Sequence, residues 1–233
     1  MAARQIVLDT ETTGLNARLG DRVIEIGCIE LLSRRITERH FHHYVNPGRE
    51  SEAGAINVHG ITAEFLADKP KFADIARGFL DYVSGAELVI HNAPFDVEFL
   101  DQELRLAGLG SLASHVQGVV DTLALARELH PGKKNSLDAL CERYAVKNAH
   151  RTLHGALLDA RLLAEVYLAM TRGQESLVMA LEAPAQGLAL AASVDASKLV
   201  VLRASAEEAA AHEAYLDALD KAAGGESVWR RSA

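Results

Sequence analysis

The chain has 233 residues, of which 49% are hydrophobic and 24% are charged, a composition that is ordinary for a soluble globular protein. Its formal net charge of −8 argues against a general electrostatic nucleic-acid binder, which is usually basic. The charge still allows an enzyme that holds nucleic acid through metal ions. No run reaches the roughly 18 apolar residues of a membrane span, and the N-terminal apolar run is too short for a secretory signal. These features predict a cytoplasmic protein with no membrane partner.

The first part of the chain predicts three strands with short connections. The apolar run Ile6–Leu8 is typical of a buried strand. Residues 23–31 alternate in polarity, and the sequence SRR then predicts a hairpin turn before a third strand near 41–45. Apolar residues recur at i, i+3, i+4, i+7, i+8 and i+11 over 72–83, which predicts a strongly amphipathic helix.

Strands and helices alternate over the next part of the chain. The apolar run 86–92 and a second run that ends at Asp121 are each followed by a helical pattern. Further helices are predicted after the N-cap Ser136 and over about 156–170. An initial meander followed by alternating strands and helices predicts an α/β fold with a mixed five-stranded sheet flanked by helices.

The character of the chain changes after Gly173. Residues 183–197 are rich in Ala, Gly and Ser, and we expect a flexible linker there. A helix is predicted further on, with a capping box at Ser205 and Glu208 and a C-terminal cap at Gly224. Its predicted apolar stripe consists of Ala209, His212, Leu216 and Leu219. A segment this small cannot fold alone, so it needs a surface on which to dock.

The sequence IVLDTETTG, which begins at Ile6, ends an apolar strand in two acids. Residues i and i+2 of a strand point to the same side, so Asp9 and Glu11 can direct two carboxylates to one point. Ligands of open α/β sheets bind at this carboxyl end of the strands, and such oxygens suit Mg²⁺ or Mn²⁺. Taken alone, the motif is equally consistent with a surface turn that carries two solvated acids.

Two further acids and a histidine follow later in the chain. Asp96 comes just after the run LVIHN, where a single acid is usually a first-turn helix residue. Asp159 interrupts an apolar helix, and a buried carboxylate needs a partner such as a metal ion. On one continuous helix His154 and Asp159 would face apart by about 140°. From a loop before Gly155, however, the histidine can fold back toward the carboxylates.

Together these residues form a candidate catalytic set for phosphodiester hydrolysis. Four carboxylates can hold two divalent cations about 4 Å apart, which clamp the attacking and leaving oxygens. A histidine with a pKa near neutrality can take the proton of the attacking water. The set consists of Asp9, Glu11, Asp96, Asp159 and His154.

The motifs VLDTETTG, HNAPFD and HGALLDA, in this order, resemble those of the DEDD 3'–5' exonucleases. Gly155 stands where the sister branch carries Tyr, so the chain resembles the DEDDh branch. This resemblance implies an RNase H-like fold, two divalent cations (Mg²⁺ or Mn²⁺), release of 5'-monophosphates from the 3' end, and His154 as general base. The implied metal ligands are Asp9, Glu11, Asp159 and, directly or through water, Asp96.

Longer segments, RTLHGALLDA, PGKKNSLDALCERY and GAELVIHNA, resemble the epsilon subunits of bacterial DNA polymerase III, and the resemblance covers nearly the whole chain. It implies removal of mispaired nucleotides from a single-stranded or frayed 3' primer end. In those subunits the His of VHGIT contacts the terminal nucleotide, which implies His59 here. A substrate-contacting Glu of a relative falls at Gly54 by ungapped counting, so that contact is left open between Gly54 and Glu52.

The same resemblance divides the chain into four parts. They are an exonuclease domain at 1–173, a sliding-clamp-binding peptide at 174–182, the linker at 183–197 and a polymerase-binding segment at 198–233. The implied contacts with the beta clamp are Gln174, Leu177 and Met179, although a plain helix-end linker is the alternative there. The implied contacts with the polymerase alpha subunit are Leu216, Leu219 and Trp229. A small theta-like third subunit is also compatible with the resemblance.

Other functions stay open on the sequence alone. The catalytic motifs fit a free-standing DEDDh exoribonuclease that trims RNA 3' ends, and only the tail at 198–229 favours a polymerase subunit. A non-catalytic scaffold of the same fold is a third reading, against which the complete set of acids and the histidine argues. Lys133 and Lys134, in PGKKNS, fit either a pair that steers DNA phosphate or an ordinary charged turn. The choice between Mg²⁺ and Mn²⁺ is likewise open.

Overall fold

The computed structural model describes residues 4–148, 153–172, 204–225 and 228–231. The chain divides into two compact units, Met1–Val178 and Met179–Ala233, which are described separately. Several predicted features lie outside the described residues. They are the domain boundary at 173, the linker at 183–197, and the clamp-binding residues Gln174, Leu177 and Met179.

Five strands form one mixed sheet in the described residues. Their bounds are β1 (Arg4–Thr12), β2 (Val23–Leu32), β3 (Arg35–Tyr44), β4 (Glu87–Ile90) and β5 (Gly118–Asp121). Their spatial order is β3-β2-β1-β4-β5. The first three are antiparallel neighbours, whereas β4 and β5 run parallel to β1. The predicted mixed five-stranded sheet is thus confirmed. Strand β3 begins earlier than the predicted 41–45, because this edge strand is largely polar and lacks the alternation that would reveal its start.

Helices cover both faces of the sheet in the first unit. Their bounds are α1 (Ala53–His59), α2 (Ala63–Leu66), α3 (Phe72–Val83), α4 (Ala93–Leu106), α5 (Thr122–Leu129), α6 (Leu137–Arg143) and α7 (Ala156–Met170). Helices α3 and α4 share one hydrophobic core with Leu8, and α6 and α7 share another with Val7. The amphipathic patterns predicted α3 and α7 with these same ends. Among the described helices, none is long and apolar enough to cross a membrane.

Alternation along β1 decides which side chains reach which face. Leu8 belongs to the core under α3 and α4, whereas Val7 belongs to the core under α7. Because strand side chains alternate with a period of two, Thr10 continues the face of Leu8. Asp9 and Glu11 continue the face of Val7. The two acids therefore lie on the α7 side of the sheet edge.

The second unit consists, in its described residues, of α8 (Ala206–Ala223) and the short α9 (Val228–Arg231). The predicted capping box is present, since Glu208 N donates to Ser205 Oγ at 3.2 Å and Ser205 N donates to Glu208 Oε2 at 2.8 Å. Gly224 ends α8 with φ of 68°, in the left-handed region that glycine adopts without strain. Both predicted ends of this helix are therefore confirmed.

The apolar stripe predicted on α8 is only partly correct. Leu216 is buried and Leu219 is half-buried, but Ala209 and His212 are exposed. Helical burial comes mostly from tertiary packing rather than from the helix itself, and the described part of this unit adds only the short α9 to cover it. Trp229 on α9 is 74% exposed. Among the described residues of this unit, Trp229 is therefore a large apolar side chain at the surface.

Candidate metal-dependent active site

The predicted catalytic residues meet at one cleft of about 840 Å³ at the carboxyl end of β1. Asp9, Glu11, His154 and Asp159 all line it. One potential ligand atom from each of Glu11, His154 and Asp159 lies within 4.8 Å of the other two. The ring nitrogen Nδ1 of His154 is 3.4 Å from Asp159 Oδ2. Four of the five residues of the predicted set thus share one site.

The start of α7 carries two of these groups to β1. His154 lies in the loop before the helix, as one of the two readings of the sequence required, and its N–H donates to Val58 O at 3.1 Å. Gly155 is the extended N-cap residue. Asp159 follows in the first helical turn, and its side chain is only 3% exposed. The loop-to-helix junction therefore folds the histidine back over a buried carboxylate.

Gly27 allows α7 to approach the sheet next to the acids. It lies on β2 directly opposite Asp9, so the two residues share a face of the sheet. A Cβ added at Gly27 would lie 2.2 Å from Leu157 N and 2.3 Å from Ala156 C. Backbone atoms cannot yield as a flexible side chain does, so only glycine accommodates the first turn of α7 at this distance.

Asp96, in the first turn of α4, contacts β1 but does not line the cleft. Its Oδ1 accepts hydrogen bonds from Thr10 N at 3.1 Å and from Thr10 Oγ1 at 2.7 Å. Burial raises the pKa of Asp96 to about 7, although the hydrogen bonds from Thr10 oppose this shift. The sequence correctly predicted an acid at this sheet edge. Its carboxylate is held at Thr10 of β1 and does not line the cleft itself.

A second cavity, of about 360 Å³, adjoins the cleft and shares Thr10 and Glu11 with it. Its lining is more apolar than that of the cleft. The apolar side chains around it belong to Leu15, Ala55, Val58 and Phe95. Gly54 and Glu52 both line this cavity as well, so the structure does not choose between the two positions that the sequence left open.

His59, at the end of α1, lines the same cavity and is 4% exposed. Its Nδ1 accepts a hydrogen bond from Ile61 N at 2.9 Å. Burial lowers the pKa of His59, while the nearby Glu25 opposes that shift and His154 adds to it. The imidazole therefore favours its neutral form and is fixed in orientation beside the cavity.

The cleft has further lining residues to which the sequence assigned no role. His91 and Asn92 follow β4, and Arg127 lies on α5. His91 Nδ1 is 3.0 Å from Thr122 Oγ1, and burial lowers the pKa of His91. Asn92 has φ of 66°, and its N–H donates to Asp121 Oδ1 at 3.1 Å. The available signal was the polar pair HN at the end of an apolar strand.

The donor set at the cleft fits a hard divalent cation. Carboxylate oxygens are the ligands that Mg²⁺ and Mn²⁺ prefer, and Asp9, Glu11 and Asp159 supply them. Glu11 is 8% exposed and Asp159 is 2% exposed, so their negative charges need compensation that water supplies poorly here. Cations at this point would provide it.

Comparison with known proteins identifies the family. The exonuclease family model matches residues 6–167. The DNA polymerase III epsilon subunits of Salmonella typhimurium and Escherichia coli are each 52% identical to the chain over 237 residues, covering 97% of the chain and 97% of each relative. The chain belongs to the DNA polymerase III epsilon subunit family. The epsilon subunit of Haemophilus influenzae is 47% identical, over 97% of this chain and 94% of its own length.

Solved exonucleases share the fold of this epsilon-family chain. Exonuclease X, in complex with 5' overhanging duplex DNA, is 28% identical with a TM-score of 0.58, over 72% of this chain and 92% of that one. The zinc-bound complex of E. coli exonuclease I with single-stranded DNA is 19% identical with a TM-score of 0.65, over 84% of this chain and 46% of that one. The predictions of an RNase H-like fold and of an exonuclease are both confirmed.

Proposed function

We propose that this chain is the proofreading 3'–5' exodeoxyribonuclease of a replicative DNA polymerase III and removes mispaired 3'-terminal nucleotides. The observation that carries the proposal is the convergence of Glu11, His154 and Asp159 within 4.8 Å at a cleft that Asp9 also lines. Membership of the epsilon subunit family supports DNA at a replication site as substrate. The expected location is the cytoplasm, where a bacterial chromosome is copied.

In this proposal Asp9, Glu11 and Asp159 hold two divalent cations, Mg²⁺ or Mn²⁺. When bound, such a pair of ions stabilises the negative charge on the attacking and leaving oxygens of the phosphodiester. The burial of Glu11 and Asp159 supports this role, because two neighbouring buried carboxylates repel each other without a cation. The carboxylate of Asp96 is engaged by Thr10, so we assign it contact with a cation through water.

His154 has the role of general base. Its side chain is 43% exposed at the cleft, so a ring nitrogen can reach an attacking water. The carboxylate of Asp159, 3.4 Å from Nδ1, orients the ring and stabilises the imidazolium that forms when the proton is taken. The hydrogen bond from His154 N to Val58 O fixes the loop that carries the ring.

We assign the apolar cavity beside Glu11 to the terminal nucleotide. Its volume of about 360 Å³ lies within the range of about 300–1,000 Å³ that small-ligand pockets occupy. Phe95 and Val58 offer apolar surfaces for a base, and His59 is the fixed polar contact. A base that is frayed from its template can enter such a cavity, whereas a paired base is held in the duplex.

The chemistry is tested on a primer with a mispaired 3' end. Asp9→Ala should abolish excision while circular dichroism shows an intact fold, and His154→Ala should lower kcat by about 10²–10⁴-fold. Asp81→Ala, which removes an exposed acid on α3, is the control with the same charge change. Full excision by Asp9→Ala would refute the site. Preference for an RNA 3' end over a DNA end would favour the free-standing exoribonuclease instead.

The partners in this proposal are the polymerase alpha subunit, the beta clamp and, where the cell has one, a small theta-like subunit. The exposed Trp229 supports docking of segment 198–233 on alpha. Leu216 and Leu219 stay predicted contacts, and segment 174–182 is assigned to the clamp. A chain that ends at Gly173 should still degrade single strands but should no longer co-purify with alpha. Full-length Trp229→Ala should weaken the same complex. Undiminished co-purification of the shortened chain would move the docking site into 1–173.

A further inference from the structure

Two cationic side chains line the active-site cleft and take no part in the chemistry described above. Arg127 on α5 and Lys133 in the loop before α6 are both exposed and both line the cleft. Within the described ranges neither has an ion-pair partner. By contrast, Arg4 and Arg22 each bind a buried carboxylate.

Hydrogen bonds fix the loop that carries Lys133. Arg143 Nη1 donates to Asn135 Oδ1 at 3.0 Å, and Arg143 Nη2 donates to Lys134 O at 2.7 Å. Asn135 Nδ2 reaches His130 O at 3.4 Å, and Lys133 N donates to the same carbonyl at 3.2 Å. A braced backbone loses less conformational entropy when its side chain binds a ligand. The backbone that carries Lys133 is therefore held in place at the cleft.

The cations and the carboxylates are carried by different elements along the sheet edge. Strand β5, which leads into α5 and Arg127, lies two strands from β1, which carries Asp9 and Glu11. Two strand spacings amount to about 10 Å. The carboxylates of Asp9, Glu11 and Asp159 therefore lie at the end of the cleft formed by β1 and α7. Arg127 and Lys133 lie toward α5 and α6, where Asp138 is the one acid that lines the cleft among the described residues.

We propose that Arg127 and Lys133 bind backbone phosphates of the substrate strand on the 5' side of the scissile bond. This inference rests on the proposed function, in which the terminal phosphodiester lies at the end of the cleft formed by β1 and α7. The rest of the DNA strand then extends from the cleft along the surface of a protein whose net charge of −8 repels its phosphates. Arg127 and Lys133, which have no ion-pair partner among the described residues, supply attraction along that path. Phosphate contacts carry no sequence information, which suits an enzyme that must remove any mispaired base.

The test compares two substrates on the full-length chain carrying Arg127→Gln and Lys133→Gln together. One is single-stranded oligothymidylate, and the other is the p-nitrophenyl ester of thymidine 5'-monophosphate, which has no phosphate upstream of the scissile bond. The KM for the oligonucleotide should rise about tenfold, and the slope of log KM against log salt should fall by about 1.4, or about 0.7 for each lost phosphate contact. Hydrolysis of the small ester should match that of the wild-type chain.

A charge-matched control separates this local effect from the loss of net charge. Arg77→Gln with Lys147→Gln removes two exposed cations that do not line the cleft. This variant should hydrolyse both substrates with the KM and kcat of the wild-type chain. An unchanged oligonucleotide KM and salt slope in the Arg127/Lys133 variant would overturn the inference. A parallel loss on the small ester would also overturn it, because the two residues would then act at the reacting end. A wild-type chain inactive on both substrates would instead contradict the proposed function.

Discussion

Replacing Gly27 by Ala should displace the part of the site that α7 supplies. The added Cβ would lie 2.2 Å from Leu157 N, whereas ordinary contact begins at 3.4 Å, so the first turn of α7 must retreat by about 1.2 Å. Asp159 lies in that turn and lines the same cleft as Asp9. Displacements of about 1 Å at a catalytic group can cost about 10²-fold in rate. Overpacking of this kind lowers the free energy of unfolding by about 1–3 kcal/mol.

The assay for Gly27→Ala measures excision of a mispaired 3' end, Mn²⁺ affinity and thermal unfolding. The expected result is a folded protein with weaker Mn²⁺ binding and a kcat lowered about 10²-fold. Gly118→Ala on β5 is the matched control, because a Cβ there meets nothing within 4 Å. Wild-type kcat and Mn²⁺ affinity in Gly27→Ala, with unfolding also unchanged, would refute the argument that this glycine sets the position of α7.

Two further predictions concern stability. In the metal-free protein, burial raises the pKa of Asp96 from 3.8 to about 7, so the protonated form stabilises the fold below about pH 4 and that contribution is lost as the pH rises through 7. Between pH 4 and pH 8 the free energy of unfolding of the wild-type protein should therefore fall by up to about 4 kcal/mol relative to that of Asp96→Asn. Urea unfolding at each pH measures it, and a difference between the two proteins that does not change with pH would contradict the raised pKa. Arg22→Ala leaves Glu103, 2% exposed, without its bidentate partner and should cost about 3–5 kcal/mol. Arg18→Ala breaks only an exposed ion pair and should lower the free energy of unfolding by less than about 1 kcal/mol. Equal losses of unfolding free energy in Arg22→Ala and Arg18→Ala would contradict the claim that burial makes the Arg22 pair more important.

The sequence predicted the parts of the site that depend on local pattern. The apolar run before Asp9 and the two-residue period of a strand place Asp9 and Glu11 on one side, and both line the cleft. A loop before Gly155 was one of the two predicted settings of His154, and it allows the ring to fold back toward Asp159. The ring nitrogen Nδ1 does lie 3.4 Å from Asp159 Oδ2. These inferences needed only the geometry of single elements, which short stretches of sequence determine.

The features that the sequence did not predict depend on how elements pack together. Nothing in HNAPFD indicates that Thr10 donates to the carboxylate of Asp96, because that contact depends on how α4 packs against β1. The closeness of α7 to Gly27 likewise follows from tertiary packing. The stripe on α8 was overextended to His212 because periodicity indicates amphipathicity but not whether a covering layer exists.

The most direct test of the central claim is the metal dependence of 3'-end excision. Wild-type chain and Asp159→Asn are stripped with a chelator and titrated with Mn²⁺, and release of deoxynucleoside 5'-monophosphates from a mispaired primer is followed. The account predicts that the stripped wild-type chain is inactive and recovers with Mn²⁺. Asp159→Asn should stay inactive at every concentration. The account would be contradicted if the metal-free wild-type chain excised the mispaired end, or if Mn²⁺ restored Asp159→Asn to the activity of the wild-type chain.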